Sequence, residues 1–207
     1  QLEVQLVDRS TRRNRLSDFR NVRSSGLIAM KLDEGDELIG VATLREGDDV
    51  LLSTRLGRCI RFQATDDQLR VFAGRDSSGV RGIRLAEGKH PDSVISLSVL
   101  RHVDAVPDER GAYLKIANAR RRGGEEEAEV PAMEAGEADE AAADVSLSPE
   151  RVAELEAVEE MLLTVTDGGF GKRSSAYEYR VTGRGGQGIT AITLTPRGKF
   201  MSIGPDA

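Results

Sequence analysis

The 207-residue chain has one cysteine, two histidines and no tryptophan. A single cysteine cannot close an intramolecular disulfide, so a secreted scaffold held together by disulfides is excluded. One cysteine and two histidines also supply too few soft ligands for a structural zinc site. No apolar run approaches the roughly 18 residues that a membrane span requires. We therefore expect a soluble cytoplasmic protein without a membrane partner.

The formal net charge of −6 is unevenly distributed along the chain. Residues 101–160 carry 7 basic and 17 acidic groups, whereas the rest of the chain has a net charge of +4. Residues 123–144 have almost nothing to bury and are interpreted as a disordered acidic linker. The composition of Pro107–Arg122 and the Ser148-Pro149 cap predict helices on both sides of that linker. Residues 101–160 therefore form an insertion that is partly helical and partly disordered.

A repeat appears once the insertion is set aside. Three segments begin with a glycine that is followed by apolar residues at offsets of one, four and six: Gly26–Leu32, Gly79–Leu85 and Gly188–Leu194. Without the insertion the period is about 50 residues, which is typical of propeller-like arrays. The repeated glycine allows a positive φ or a close approach of two backbones.

Each repeat has the same order of short strands. A first strand (Glu3–Val7, Val50–Thr54, Met161–Thr166) precedes a basic second strand, the glycine-led third strand, a glycine turn and a fourth strand. The prediction is an all-β, propeller-like array of about three four-stranded blades. The predicted blades are residues 1–47, 48–100 and 161–207, and the insertion is 101–160.

Several of these stretches resemble the C-terminal domain of the DNA gyrase A protein. They are Arg12–Phe19, Gly26–Val41, Gly74–Gly82, Gly169–Arg173 and Glu178–Gly188. The resemblance implies a β-pinwheel of about six blades whose outer rim wraps DNA, so the chain is expected to be a fragment of about half a pinwheel. Gly183–Gly188 matches the family's DNA-wrapping box only in part and is interpreted as an ordinary copy of the repeat.

The resemblance also implies a function. The chain would be a non-specific DNA-binding and DNA-wrapping module that supports ATP-dependent negative supercoiling by a bacterial type II topoisomerase in the nucleoid. Its partners would be double-stranded DNA, the gyrase A N-terminal domain and gyrase B, with ATP and magnesium needed by the holoenzyme only and no cofactor in this chain. The family's active-site tyrosine lies in the N-terminal domain, so Tyr113, Tyr177 and Tyr179 are not expected to be nucleophiles. Two alternatives stay open: a topoisomerase IV C-terminal domain, and a propeller-like scaffold for protein interactions.

Basic residues recur in the three repeats, as expected of a protein that contacts phosphates along an arc. Arg13, Arg61 and Arg173 occupy the same place in each second strand. Glycine-rich loops beside arginines also offer backbone N–H groups to phosphate oxygens. The candidate DNA-binding residues are Arg12, Arg13, Arg15, Arg23, Arg58, Arg61, Arg75, Arg81, Arg84, Lys172, Arg173, Arg180 and Arg184.

The acidic insertion has two interpretations. Its charge of −10 against +4 elsewhere allows it to compete with DNA for the basic surface and thereby regulate wrapping. The alternative is a solubilising loop that the fold tolerates. Deletion of residues 123–145 distinguishes them, because only the first interpretation predicts tighter binding with a changed salt dependence.

Overall fold

The computed structural model describes residues 2–7, 10–75, 77–123, 145–194 and 200–205. Strands predominate in these ranges, and two α-helices lie in the predicted insertion. The strands are β1 (Leu2–Val7), β2 (Ser10–Arg15), β3 (Leu38–Leu44), β4 (Asp49–Thr54), β5 (Arg58–Gln63), β6 (Val80–Arg81), β7 (Val94–Leu100), β8 (Met161–Thr166), β9 (Gly171–Ser175), β10 (Ile189–Thr190) and β11 (Phe200–Pro205). The helices are α1 (Pro107–Arg122) and α2 (Pro149–Ala157). The predicted all-β class with a helical insertion is confirmed.

The strands form three antiparallel sheets that exchange strands between repeats. Sheet 1 has the order β3-β1-β2-β6, sheet 2 has β10-β5-β4-β7, and sheet 3 has β11-β8-β9. The short strands β6 and β10 come from the repeat that follows the sheet they join. Sheets 1 and 2 are therefore not contiguous segments of the chain, in contrast to the contiguous blades that the repeat pattern predicted. Sheet 3 has three strands in the described part of the chain, not four.

The repeated glycines make this exchange possible. Gly79 has φ +83° and Gly188 has φ +68°, a region of backbone conformation that favours glycine. A Cβ atom on Gly79 would lie 2.5 Å from the carbonyl oxygen of Thr11, and one on Gly188 would collide with the carbonyl oxygen of Cys59. Both predicted reasons for the glycine, positive φ and close backbone approach, are confirmed at these two positions.

The first glycine-led segment, unlike the other two, does not contribute a strand to a sheet. Residues 26–32 form no strand and pair with none of the described sheets. Ile28 and Leu32 of this segment are exposed, by 74% and 44%.

Sheet 2 is covered on both faces, which explains the composition of β4. All six residues of β4 are buried. Val50 and Leu52 belong to an apolar cluster that includes Ile83 and Leu44, whereas Leu51 belongs to a second cluster on the side of sheet 3. The consecutive apolar residues Val50, Leu51 and Leu52 thus pack on both faces of sheet 2, and the polar residues at the ends of β4 are buried as well.

The two helices pack together against sheet 3. α1 has the predicted bounds, and Ser148 caps α2 by accepting a hydrogen bond from the Arg151 N–H at 3.2 Å. Tyr113 of α1 and Leu155 of α2 lie in one buried cluster with Tyr177, which follows β9. The predicted acidic linker lies outside the described residues from 124 to 144. Neither described helix combines the length and the apolar character that crossing a membrane demands.

Candidate nucleic-acid interface

Two arginines at equivalent positions of β2 and β5 are buried and bind the repeat that follows. Arg13 Nη1 donates to the carbonyl oxygen of Ala64 at 2.5 Å, and its Nη2 lies 2.5 Å from a carboxylate oxygen of Asp66. Arg61 Nη1 donates to the carbonyl oxygen of Ala176 at 2.7 Å. Because Ala64 follows β5 as Ala176 follows β9, the same contact is made twice. The second-strand arginine therefore joins adjacent repeats.

Arg61 is held by further groups. Its Nε donates to Asp49 Oδ2 at 2.8 Å, and its Nη2 donates to the carbonyl oxygen of Arg101 at 3.2 Å. His102 Nδ1 lies 2.9 Å from Asp49 Oδ1. Asp49 is fully buried, and each of its two carboxyl oxygens lies within hydrogen-bonding distance of one of these two side chains. His102, whose side chain is 29% exposed, thus contacts a buried carboxylate.

Two more arginines hold the glycine-rich loops that precede the exchanged strands. Arg12 is fully buried, and its Nη1 donates to the carbonyl oxygen of Ser77 at 2.6 Å. Arg58 donates from Nε to the carbonyl oxygen of Gln187 at 2.9 Å and from Nη2 to that of Gly188 at 2.8 Å. Each guanidinium thereby holds a loop of the next repeat beside its own sheet.

The burial of three candidates changes their role. Arg12, Arg13 and Arg61 are at most 5% exposed, and their guanidinium groups donate to protein oxygens. A phosphate cannot reach them without displacing those contacts. The expected DNA contacts do not fit these three positions, and the structure gives them a structural role between repeats instead.

Four arginines from two repeats contact or belong to the loop of residues 183–188, Arg58 and Arg184 through guanidinium groups and Arg81 and Arg84 through backbone atoms. Arg184 Nη1 donates to the carbonyl oxygen of Arg81 at 3.1 Å, the Arg84 N–H donates to the carbonyl oxygen of Gly186 at 2.8 Å, and Arg58 binds the end of the loop. Arg81 and Arg84 have exposed side chains, and those of Arg58 and Arg184 are half-buried. We call Arg58, Arg81, Arg84 and Arg184 the loop cluster. Candidate residues from two different repeats meet there at one loop.

The backbone of this loop is less available than the sequence suggested. The Gly185 N–H donates to the carbonyl oxygen of Gly82 at 2.6 Å, and the Arg184 N–H donates to Gln68 Oε1 at 3.2 Å. These two N–H groups serve packing between repeats. Phosphate binding at the loop cluster would accordingly depend on side-chain guanidinium groups.

The remaining candidate DNA-binding residues differ in their exposure to solvent. Arg15, Arg23 and Arg173 are exposed, whereas Arg75, Lys172 and Arg180 are half-buried. Lys172 Nζ is 3.1 Å from Glu178 Oε2, an ion pair that competes with any phosphate. Their contacts with DNA stay predictions.

Arg70 was missed by the sequence reasoning. This residue is exposed, and its guanidinium carbon lies 4.7 Å from the ring centroid of Phe72, within the range of a cation–π interaction. The signal was present in the repeat, because Arg70 precedes Val71 as Arg180 precedes Val181. These two valines form equivalent parallel bridges with the second strands of their neighbouring repeats.

The tyrosines and the cysteine have the properties of core residues. The Tyr113 hydroxyl donates to Glu159 Oε2 at 2.9 Å, and the Tyr177 hydroxyl donates to the carbonyl oxygen of Leu155 at 3.0 Å. Burial raises the pKa of Tyr177 to about 12 and that of Tyr179 to about 12, which disfavours a phenolate nucleophile. Burial also raises the pKa of the Cys59 thiol to about 12, so it is an inert core group.

Sequence comparisons identify relatives of this chain. A family model described as "DNA gyrase C-terminal domain, beta-propeller" matches residues 12–45, 48–101 and 160–205. The DNA gyrase A protein of Granulibacter bethesdensis is 68% identical over 189 residues, which cover 90% of this chain and 20% of that protein. The DNA gyrase A protein of Rickettsia bellii is 45% identical over 186 residues, covering 90% of this chain and 19% of that protein. The chain thus spans about a fifth of the length of these curated relatives.

A solved structure supports the fold. The C-terminal domain of DNA topoisomerase IV superposes with a TM-score of 0.61 at 13% identity, over 100% of this chain and 46% of that one. At this identity the similarity concerns the architecture alone.

Proposed function

Since the chain belongs to the DNA gyrase C-terminal domain family, we propose that it is a sequence-independent DNA-binding and DNA-wrapping module of a gyrase A protein. The carrying observation is the loop cluster, in which two repeats that are about a hundred residues apart in sequence bring four arginines to one loop. Guanidinium groups bind phosphate oxygens by charge-assisted hydrogen bonds that carry no sequence information. Such contacts bind a duplex of any sequence.

The buried arginines support the wrapping part of the proposal. Wrapping bends the duplex, and the cost of bending is offset only when the contacts are held in fixed positions along an arc. Arg13 and Arg61 fix each sheet to the next repeat through contacts that are largely or fully buried. The exposed Arg15 on sheet 1 extends the basic surface beyond the loop cluster.

Gyrase A is favoured over topoisomerase IV by sequence identity. The matching gyrase A relatives are 68% and 45% identical, whereas the topoisomerase IV domain is 13% identical and speaks only to the fold. In the full-length protein the module would act with the DNA-cleaving part of gyrase A and with gyrase B. ATP and magnesium would be required by that assembly for negative supercoiling.

Salt-dependent binding tests the loop cluster. The 207-residue chain and its Arg81→Gln/Arg84→Gln variant would be titrated against a duplex of mixed sequence between about 50 and 200 mM salt. Loss of two phosphate contacts lowers the slope of log K against log salt by up to about 2, because each contact contributes about 0.9. The matched control is Arg120→Gln/Arg122→Gln, which removes two exposed charges from α1.

The titrations of the three proteins distinguish whether the loop cluster contacts DNA. The proposal expects weaker binding and a smaller slope in the Arg81/Arg84 variant, with the α1 control close to the unmodified chain. Equal slopes in all three proteins would remove the loop cluster from the interface. Absence of binding by the unmodified chain at about 50 mM salt would overturn DNA binding as a whole.

Wrapping needs a separate measurement. Relaxed plasmid would be incubated with the chain, treated with a nicking-closing topoisomerase, and deproteinised before its linking number is measured. A change in linking number that grows with protein concentration supports wrapping. Binding without any such change would reduce the module to a DNA-binding one.

A further inference from the structure

A cavity of about 210 Å³ lies between the start of the helical insertion and the segment that follows β9. The chain entering α1 and the first turn of that helix line one side, with His102, Asp104 and Arg110. The other side is formed by Arg61 and by the segment after β9, with Tyr177 and Arg180. We call this space the basal cavity. It is distinct from the loop cluster, with which it shares no residue.

The charges around the basal cavity are predominantly positive. Arg110 and Arg180 line it together with a single acidic residue, Asp104, and the third lining arginine, Arg61, already donates its guanidinium hydrogens to protein oxygens. Behind the wall, the Asp49 carboxylate is already bound by both Arg61 and His102. The lining residues therefore carry an excess of formal positive charge.

The walls of the cavity are fixed before any ligand arrives. The Arg61 side chain is 4% exposed and is held by carbonyl and carboxylate oxygens on several sides. The Tyr177 hydroxyl donates to the carbonyl oxygen of Leu155, which ties this wall to α2. The side chain of His102 is 29% exposed, so the cavity has an edge that reaches solvent. A rigid site of this kind loses little entropy on binding.

We infer that the basal cavity binds a small phosphate-type anion. Guanidinium forks match tetrahedral oxyanions in geometry and charge, and arginine is the residue most suited to that recognition. The rest of the lining includes Val103, Ala105 and Val181, and apolar walls strengthen an ionic contact by lowering the local dielectric constant. The volume is below the roughly 300 Å³ at which pockets for drug-sized ligands begin, so a single phosphate group is favoured over a nucleotide.

Two sources could supply this group: free inorganic phosphate, or a phosphodiester of bound DNA. The inference does not rest on the proposed wrapping function, because inorganic phosphate is measured without DNA. Failure of either proposal is thus seen in a different experiment. The location between the insertion and the segment after β9 also means that an occupied cavity would tie the helices more firmly to the repeats.

Isothermal titration calorimetry with inorganic phosphate tests the site in the 207-residue chain. Ionic strength would be held constant with chloride, so that a general salt effect is excluded. We expect saturable binding that weakens at least about tenfold, equivalent to about 1.4 kcal/mol, in Arg110→Gln and in Arg180→Gln. Arg122→Gln is the matched control, since it removes an exposed charge from the other end of α1, away from the cavity. Circular dichroism in chloride verifies the fold of each variant, and Arg110→Gln alone is sufficient if Arg180→Gln does not fold.

Each outcome decides the inference. If no phosphate binding is measured up to about 20 mM, the inference is overturned, because a site with a millimolar dissociation constant would be nearly saturated at that concentration. Binding that Arg110→Gln weakens no more than Arg122→Gln would overturn it as well, because the anion would then lie elsewhere. If duplex DNA competes with phosphate in the unmodified chain, the physiological source is a phosphodiester. If it does not compete, the source is the free anion.

Discussion

Arg61 Nε lies 2.8 Å from Asp49 Oδ2, and both side chains are buried where sheet 2 meets the next repeat. Arg61 also donates to the carbonyl oxygen of Ala176, so one residue neutralises a buried carboxylate and joins two repeats. Removing one partner of a buried ion pair is far more damaging than removing both. The pair therefore allows a stability test that separates it from a surface contact.

We expect Arg61→Met to lower the free energy of unfolding by about 3–5 kcal/mol, because it leaves the Asp49 carboxylate without its main counter-charge. Urea denaturation of the 207-residue chain measures the loss. Arg45→Met, at an exposed position in the turn after β3, is the matched control and should change stability by less than about 0.5 kcal/mol. Similar losses in the two variants would show that Arg61 is not a junction residue.

Because the third strand is exchanged between repeats, we expect alanine to destabilise the protein to different extents at two equivalent glycines. Gly26 and Gly79 have nearly the same φ, +78° and +83°, so alanine strains the backbone equally in both. Only at Gly79 would the new Cβ meet a neighbour, the carbonyl oxygen of Thr11 at 2.5 Å. Gly79→Ala should consequently cost about 1–3 kcal/mol more than Gly26→Ala, by the usual cost of overpacking. Chemical denaturation of both variants gives the comparison, and equal costs would contradict the close approach of the two backbones.

The first, second and fourth strands of the repeats, and the two helices, could be predicted from the sequence because local patterns specify them. Apolar residues in β4 and β8 and the Ser148-Pro149 cap depend on nearby residues only. The exchange of the third strand could not be predicted in the same way. Its partner lies in another repeat, and the apolar pattern after Gly79 or Gly188 is the same whichever sheet the strand joins.

The candidate arginines show a second limit of sequence reasoning. Arg12 and Arg13 are adjacent on β2 and therefore point to opposite faces, an alternation that in a half-buried strand leaves one of the two exposed. Both are buried, because the next repeat covers one face with Ala64 and the other with Ser77. The recurrence of the arginine was visible in the sequence. Its role between repeats depends on packing that only the fold provides.

The hydrogen bonds of Glu159 lead us to expect that the helical insertion is attached less firmly in acid. Burial alone would raise the pKa of Glu159, but hydrogen bonds from Ser175, Arg121 and Tyr113 outweigh burial and lower it. A carboxylate with a lowered pKa in the folded state stabilises the protein above its unfolded pKa, and that contribution is lost as the pH falls through the folded value. The loss is therefore expected below about pH 4.3, the ordinary glutamate value.

Glu159→Gln tests this expectation, because it removes the titrating group while keeping the side-chain shape. Unfolding would be followed between neutral pH and about pH 3.5, below the ordinary glutamate value, by near-UV circular dichroism of the tyrosines around the helices. The variant should be less stable than the unmodified chain at neutral pH and should lose less stability on acidification. Glu46→Gln, at an exposed position after β3, is the control. A variant that loses as much stability in acid as the unmodified chain would assign the acid sensitivity to other groups.

The acidic segment gives the last prediction, which concerns regulation of DNA binding by charge. Residues 124–144 contain nine acidic and no basic residues. If this charge competes with the phosphates for the loop cluster, its deletion should tighten duplex binding by about tenfold at ~50 mM salt and make the salt dependence steeper. A second variant keeps the length but replaces the nine residues with glutamine or asparagine, so that charge is separated from bulk. Tightening in both variants supports competition by charge, whereas tightening in the deletion alone indicates that the segment blocks DNA by its size. Unchanged affinity in both at low salt would leave the segment with the solubilising role.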